Sequence, residues 1–233
     1  MHQNHNFIKK FPINHLGRDF IAGDIHGCFD ELNSKLDKHQ FDPQTDRLFA
    51  VGDLIDRGPG SHKVLSWLQQ PWFHSCLGNH EEMILTTSVD STEGQNWFES
   101  YGGEWWLEQG ADVRAEISAA FAELPLAIEL ETSRGTIGIV HADIPKGMSW
   151  PSFIRLLELG DSDTRKTALW GRSRIKRFIS SPVKEIERVV CGHTVTANRK
   201  ITTKANVWFI ETGAYLQDEA SHLSVINTEQ LFE

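Results

Sequence analysis

The chain has 233 residues, a formal net charge of −9, 39% hydrophobic residues and 24% charged residues. That balance suits a globular fold with one substantial core, and its acidic surplus excludes the basic footprint of a nucleic-acid binder and argues against an anionic membrane surface. No apolar run approaches the roughly 18 residues that cross a bilayer, the start Met1-His2-Gln3-Asn4-His5 lacks the apolar centre of a signal peptide, and the scattered Cys28, Cys76 and Cys191 suit a reducing cytoplasm better than a disulfide framework.

Residues 1–17 are polar and His-rich without a period, and read as an irregular lead-in in which His2, His5 and His15 are solvated. Asp19 to Gly23 reads as a short strand that empties into Asp24-Ile25-His26-Gly27. Phe29, Leu32 and Leu36 among polar residues predict a helix to about His39. After the Asp42-Pro43 turn, the apolar run Arg47–Val51 predicts a buried strand, followed by Gly52-Asp53-Leu54-Ile55-Asp56-Arg57-Gly58. Val64, Leu65 and Leu68 mark a second helix ended by Pro71. Phe73 to Leu77 is a third strand, and its loop, Gly78-Asn79-His80-Glu81, opens a helix through Met83, Ile84 and Leu85.

Strand, polar loop and helix thus recur three times, which predicts an α/β architecture with a parallel component. Residues 88–110 break the pattern with Trp97, Phe98, Tyr101, Trp105 and Trp106 among glycines, and read as a cap or insertion whose rings form a local core. A helix follows over 111–123. The second half turns β-rich: 126–130 and 136–140 flank a Ser133-Arg134-Gly135 turn and predict a hairpin that runs into His141-Ala142-Asp143. Residues 151–159 predict a helix, and Trp170 to Arg177 form a basic island. Strands are expected at 189–191, before Gly192-His193-Thr194, at 207–210 and at 222–226. No linker divides the chain, so one domain over 1–233 is expected, as two stacked sheets with helices outside.

Five strand-end loops therefore carry metal-competent groups: Asp24 and His26; Asp53; Asn79 and His80; His141; His193. Loops at strand ends can converge on one edge of a sheet. The donors are carboxylate, imidazole and amide, which suits Mn²⁺, Fe or Zn²⁺ in a catalytic site. Six side chains exceed what one open catalytic ion needs, and a pair of ions sharing a carboxylate fits better. Two divalent ions against two aspartates leave a surplus of about two positive charges, which matches a hydroxide and an anionic phosphoryl group.

The blocks Gly23-Asp24-Ile25-His26-Gly27, Gly52-Asp53-Leu54-Ile55-Asp56-Arg57-Gly58 and Gly78-Asn79-His80-Glu81, with His141 and Gly192-His193, resemble the signature of the metal-dependent phosphoprotein phosphatases. In length and in Trp170-Gly171-Arg172, the chain is most similar to the compact bacterial and phage-lambda-type serine/threonine phosphatases. The resemblance implies the calcineurin-like metallophosphoesterase fold, an α/β (α+β) sandwich of two mixed sheets flanked by helices. It implies two divalent ions, Mn²⁺ foremost, with Asp24 and His26 on the first, Asp53 bridging, and Asn79, His141 and His193 on the second. It makes His80 the general acid, Asp56 the group that orients it, and Arg57 and Arg172 the phosphate arginines, with Arg174 competing for Arg172's place. Asn79 and His80 would also face the phosphoryl group. Leu77 departs from the pattern, because the family commonly has an arginine there.

The expected activity is hydrolysis of phosphoserine and phosphothreonine monoesters on proteins or peptides, with phosphotyrosine a further candidate, by in-line attack of a metal-bridging hydroxide. The alternative is a hydrolase of dinucleoside polyphosphates such as diadenosine tetraphosphate, whose members resemble this chain in the metal motifs but lack an aspartate at the position of Asp56. A third reading is an inactive relative that keeps the fold, but no ligand position is eroded. A monomer is the expected state.

Overall fold

Short parallel strands that are apolar on both faces need cover on both sides, and this chain supplies it with helices outside and a second sheet inside. The computed structural model describes residues 7–177, 179–216 and 218–233. One sheet has four strands in the order β10 (Val225–Asn227), β2 (Asp19–Ala22), β3 (Arg47–Ala50), β4 (Phe73–Ser75). Its β2–β3 and β3–β4 pairs are parallel and β10 is antiparallel. The other sheet has six strands in the order β1 (Ile8–Phe11), β5 (Ala127–Thr132), β6 (Gly135–Val140), β7 (Arg188–Cys191), β9 (Val207–Phe209), β8 (Thr202–Lys204). Here β5–β6 and β8–β9 are antiparallel and the other pairs are parallel.

Between the sheets, Ile21, Phe49, Val51 and Cys76 meet Ile128, Leu130, Ile137, Ile139 and Val190 in one buried layer. Outside the four-stranded sheet lie α1 (Phe29–Lys38) and α2 (Val64–Leu68), joined by the core of α3 (Asn79–Thr86), α4 (Thr92–Tyr101) and α5 (Ala111–Ala122). Helix α1 buries Phe29, Leu32 and Leu36, has Asp30 and Glu31 in its first turn and Lys35 and Lys38 in its last, and so complements its own dipole. Outside the six-stranded sheet, α6 (Trp150–Glu158) and α7 (Ser162–Trp170) bury Trp150, Phe153, Leu157, Ala168 and Leu169. The Asp161 side chain caps α7 by accepting from the Thr164 N–H at 2.8 Å. The short α8 (Ser173–Lys176) follows.

The two mixed sheets flanked by helices are the arrangement expected from the sequence. The differences are local. The lead-in contains β1, in which exposed Lys9 and Lys10 stand between buried Ile8 and Phe11, and which among the described residues pairs with β5 alone. Four residues are too few to display a period. His2 and His5 lie outside the described residues. Helix α7 and strand β8 are low in apolar residues and carry no period in the sequence, and the last strand begins at Val225 rather than at His222. Leu223 is instead held by its N–H donating to Glu31 Oε1 at 2.8 Å.

Candidate metal and phosphoryl site

Every loop singled out in the sequence leaves the C-terminal end of a strand: Asp24 follows β2, Asp53 follows β3, Asn79 follows β4, His141 follows β6 and His193 follows β7. Parallel neighbours put those ends on one edge, so residues far apart in the chain meet there. The backbone bends sharply to aim the side chains. His26, Asp53, Asp56, Arg57 and His193 have φ of 44°, 51°, 71°, 68° and 66°, a region that non-glycine residues seldom occupy and that costs about 1–3 kcal/mol each. Close approach adds to this. A Cβ on Gly78 would stand 2.2 Å from the Asp53 nitrogen, and one on Gly192 would stand 1.9 Å from Asp24 Oδ1.

Among the described residues, two groups of potential ligand atoms share Asp53: His26, Asp53 and His80 form one, and Asp53, His141 and His193 the other, with the atoms of each group within 4.8 Å of one another. All five residues are buried. His26 Nδ1 donates to the Ile55 carbonyl at 2.8 Å, which leaves Nε2 as the acceptor, 2.9 Å from Arg57 Nη1. His141 Nδ1 donates to the Val51 carbonyl at 3.0 Å, so its Nε2 is the atom turned to Asn79 Oδ1 at 2.9 Å, His193 Nδ1 at 3.2 Å and Asp53 Oδ1 at 3.4 Å. Asn79 Oδ1 is also 2.7 Å from His193 Nδ1. Asp24 lies outside both groups, its two oxygens accepting from the His193 N–H at 3.1 and 2.9 Å.

Amide oxygen, carboxylate and imidazole nitrogens turned on one another are an electron-rich set that calls for a cation among them. The electrostatics agree. Burial opposes charge on His141, but Asp53, with Asp24 and Glu81 behind it, raises the ring to about 9. Burial also opposes charge on Asp53, yet His141 and His80 hold its carboxyl well below the usual carboxylate range. Burial, then Glu211, pushes Asp24 well above it. Burial, then His80 and Arg57, drives His26 well below the usual imidazole range, and burial with His141 takes His193 to about 2. The buried His193 Nε2 has no hydrogen-bond partner among the described residues. Neutral His26 and His193 beside an ionised Asp53 are ligand states that a divalent metal requires, and the raised His141 and Asp24 mark carboxylate charge gathered in one buried place, which a cation there would neutralise, so the residues present fit such ions.

Beside this set, His80 Nδ1 is 2.6 Å from Asp56 Oδ2, and its other nitrogen is 3.9 Å from Asp53 Oδ2. The His80 N–H, in the first turn of α3, donates to Asp53 Oδ1 at 3.0 Å. Arg57 and Arg172 are exposed at the rim. Arg57 lies 4.4 Å from the Tyr215 ring centre, and Arg172 Nη1 donates to Thr194 Oγ1, next to His193, at 3.1 Å. Arg174 is buried away from the rim. Its N–H donates to Asp143 Oδ2 at 2.8 Å and its guanidinium to the Ser181 carbonyl at 2.7 Å. The structure thus brings Arg172, and not Arg174, beside the site. Leu77 is a core residue, 3% exposed, packed among residues of α6 and α7.

Several contributors were not read from the sequence. The resemblance implies no role for Glu81 of the Gly78-Asn79-His80-Glu81 block. Its Oε2 accepts from the Gly78 and Asp53 N–H groups, each at 2.9 Å, and its Oε1 from the Leu54 N–H at 2.8 Å. Glu211, buried and raised to about 8 by burial and Asp53, accepts from the Gly213 N–H at 2.7 Å behind Asp24. Trp97 and Trp105 donate to Asp56 at 2.7 and 2.6 Å. Their presence in the aromatic stretch was the available signal, but not its target.

The calcineurin-like phosphoesterase family profile matches residues 20–206. Serine/threonine-protein phosphatase 2 of Escherichia coli is 33% identical over 212 residues, covering 88% of this chain and 92% of that protein. A symmetrical bis(5'-nucleosyl)-tetraphosphatase of Serratia proteamaculans is 48% identical over 68 residues, covering 28% of this chain and 24% of that one. A crystal structure named provisionally as a diadenosine tetraphosphatase superposes with a TM-score of 0.65 at 22% identity, over 96% of this chain and 94% of the other. The chain belongs to the calcineurin-like phosphoesterase family, whose members are metal-dependent phosphoester hydrolases.

Proposed function

We propose that this chain is a phosphoprotein phosphatase that hydrolyses phosphoserine and phosphothreonine monoesters, with phosphotyrosine esters within its chemistry. The observation that carries this reading is the His80–Asp56 pair, 2.6 Å apart and set against Asp53. A serine or threonine alkoxide is a poor leaving group, and a positioned acid is what its departure needs. Likeness to a serine/threonine phosphatase along 88% of the chain supports the same reading.

Asp24 and His26 would hold one divalent ion, Asn79, His141 and His193 the other, and Asp53 would be shared. Two ions, Mn²⁺ foremost among Mn²⁺, Fe and Zn²⁺, supply Lewis acidity toward the phosphoryl oxygens and acidify the attacking water. The chain's own groups do the rest. Arg57 and Arg172 offer planar forks to the phosphoryl oxygens, and the Asn79 amide nitrogen is free to donate to them. Water oxygen bonds to phosphorus, one of its protons passing to solvent, as the bond from phosphorus to the side-chain oxygen breaks. The electron pair stays on that oxygen, which takes the proton from His80 Nε2 while Asp56 holds Nδ1, and solvent later returns a proton to His80. The products are the free hydroxyl and inorganic phosphate.

A second reading, dinucleoside polyphosphate hydrolysis, is favoured by the 48% identical stretch. Assays of the Mn²⁺-loaded protein on a phosphoserine peptide, p-nitrophenyl phosphate and diadenosine tetraphosphate separate the two. Turnover of the peptide with little of the dinucleotide is expected, and the reverse order overturns the proposal. His80→Ala is expected to lose about 10²–10⁴-fold on the peptide and far less on p-nitrophenyl phosphate, whose leaving group needs no proton.

A further inference from the structure

The aromatic stretch 88–110 packs its rings into the core outside the four-stranded sheet, with Trp97 1% and Trp106 6% exposed. Two of its polar atoms do something packing does not require. Trp97 Nε1 donates to Asp56 Oδ2 at 2.7 Å, and Trp105 Nε1 donates to Asp56 Oδ1 at 2.6 Å. Asp56 is fully buried, and among the described residues its remaining side-chain contact of this kind is His80 Nδ1 on Oδ2. The indole nitrogen is a donor only, so both bonds have one sense. Phenylalanine at either position would fill similar space and leave a buried carboxylate oxygen short of a partner.

The same stretch meets the site at two more points. The Arg57 N–H donates to the Gly102 carbonyl at 3.4 Å, and the Tyr101 ring stands edge-on to His80 at 5.8 Å. Gly102 has φ of 75°, and a Cβ there would lie 2.6 Å from the Arg57 nitrogen, so the two segments are held in direct backbone contact.

We propose that Trp97 and Trp105 are positioning residues that fix the plane of the Asp56 carboxylate and through it the ring of His80, so that the aromatic insertion sets how well the leaving oxygen is protonated. A carboxylate turns easily about its Cβ–Cγ bond. One donor on each oxygen stops that rotation, and the His80 Nδ1–H then has one acceptor direction. The His80 Nε2 proton is thereby aimed at a fixed point beside Asp53. This inference rests on the reading of His80 as the proton donor.

The test compares Trp105→Phe, Trp97→Phe, His80→Ala and Trp105→Phe/His80→Ala in the Mn²⁺-loaded full chain. Trp105 is half-buried and is the milder change, while Trp97 is a core ring whose loss can unfold the chain. Trp106→Phe serves as a packing control from the same segment. Each protein is assayed on phenyl phosphate and p-nitrophenyl phosphate, which differ in how much the departing oxygen needs a proton. Losing one hydrogen bond to a charged group corresponds to about tenfold or more. Trp105→Phe is therefore expected to lower kcat about tenfold on phenyl phosphate and under about threefold on p-nitrophenyl phosphate, with KM and metal content unchanged. In the His80→Ala background the same change is expected to do nothing further, and Trp106→Phe is expected to show no split.

Equal losses from Trp105→Phe on both substrates, or a full additional loss in the His80→Ala background, overturn the inference while His80 keeps its own split. Equal losses from His80→Ala on both substrates remove the reading beneath it instead, so the two failures are distinct.

Discussion

Glu81 shows how one buried side chain organises a loop. Its carboxylate accepts from three backbone N–H groups, those of Gly78, Asp53 and Leu54, and so ties the start of α3 to the loop after β3. Asp53 is held with φ of 51°, and its N–H donates to Glu81 Oε2 at 2.9 Å. Glu81→Ala strands three buried donors, each worth about 1–3 kcal/mol. The chain is expected to lose about 3–5 kcal/mol in urea denaturation, and Glu81→Gln, which keeps one acceptor oxygen, about half of that. A loss under about 1 kcal/mol for Glu81→Ala would contradict the anchoring role.

Among the elements, β4 carries an acid-sensitive contact remote from the metal ligands. His74 lies between the sheets' edges, 4.4 Å from the Phe11 ring of β1 and 5.2 Å from the Phe49 ring of β3. Burial, with Lys9 and Arg47 nearby, lowers its ring to about 4 from an ordinary 6.5. The folded state therefore binds this proton more weakly than the unfolded chain. Stability from this group is complete above the unfolded value and is lost as pH falls from 6.5 toward 4, with no further loss below. His74→Phe keeps an aromatic ring and removes the titration. The wild-type chain is expected to lose about 2 kcal/mol more than this variant between pH 7 and pH 4.5. Parallel urea curves at the two pH values measure it, and identical losses would exclude the effect.

For the whole molecule, the proposed ligand set joins the two sheets. Asp53 follows β3 in the four-stranded sheet, while His141 and His193 follow β6 and β7 in the six-stranded one. Metal binding should therefore stabilise the sandwich as a unit. At a free Mn²⁺ concentration of about 100 times Kd, the gain is about 2.7 kcal/mol, or roughly 5–10 °C in Tm for a chain of this size. Asp53→Asn touches both groups of ligands at once. It is expected to abolish the Mn²⁺-dependent rise in Tm and to deplete both ions together in metal analysis. Full occupancy in that variant would refute a shared aspartate.

Local pattern alone revealed the strand–loop–helix order, because Phe29, Leu32 and Leu36 or the run 47–51 meet their burial requirement within a few residues. It also revealed the candidate ligands, since polar groups placed directly after apolar strands stand out from surface loops. Strand β1 escaped because its pairing with β5 spans more than a hundred residues and its own four residues carry no period. Distance likewise hid the separation of Arg172 from Arg174. Both sit in one basic island, and only the fold buries Arg174 against Asp143 and Ser181 while leaving Arg172 beside Thr194. The indole bonds of Trp97 and Trp105 to Asp56 belong to the same class. Composition can supply a donor, but hydrogen-bond direction and partner are set when distant segments pack, and that is a property of the tertiary structure alone.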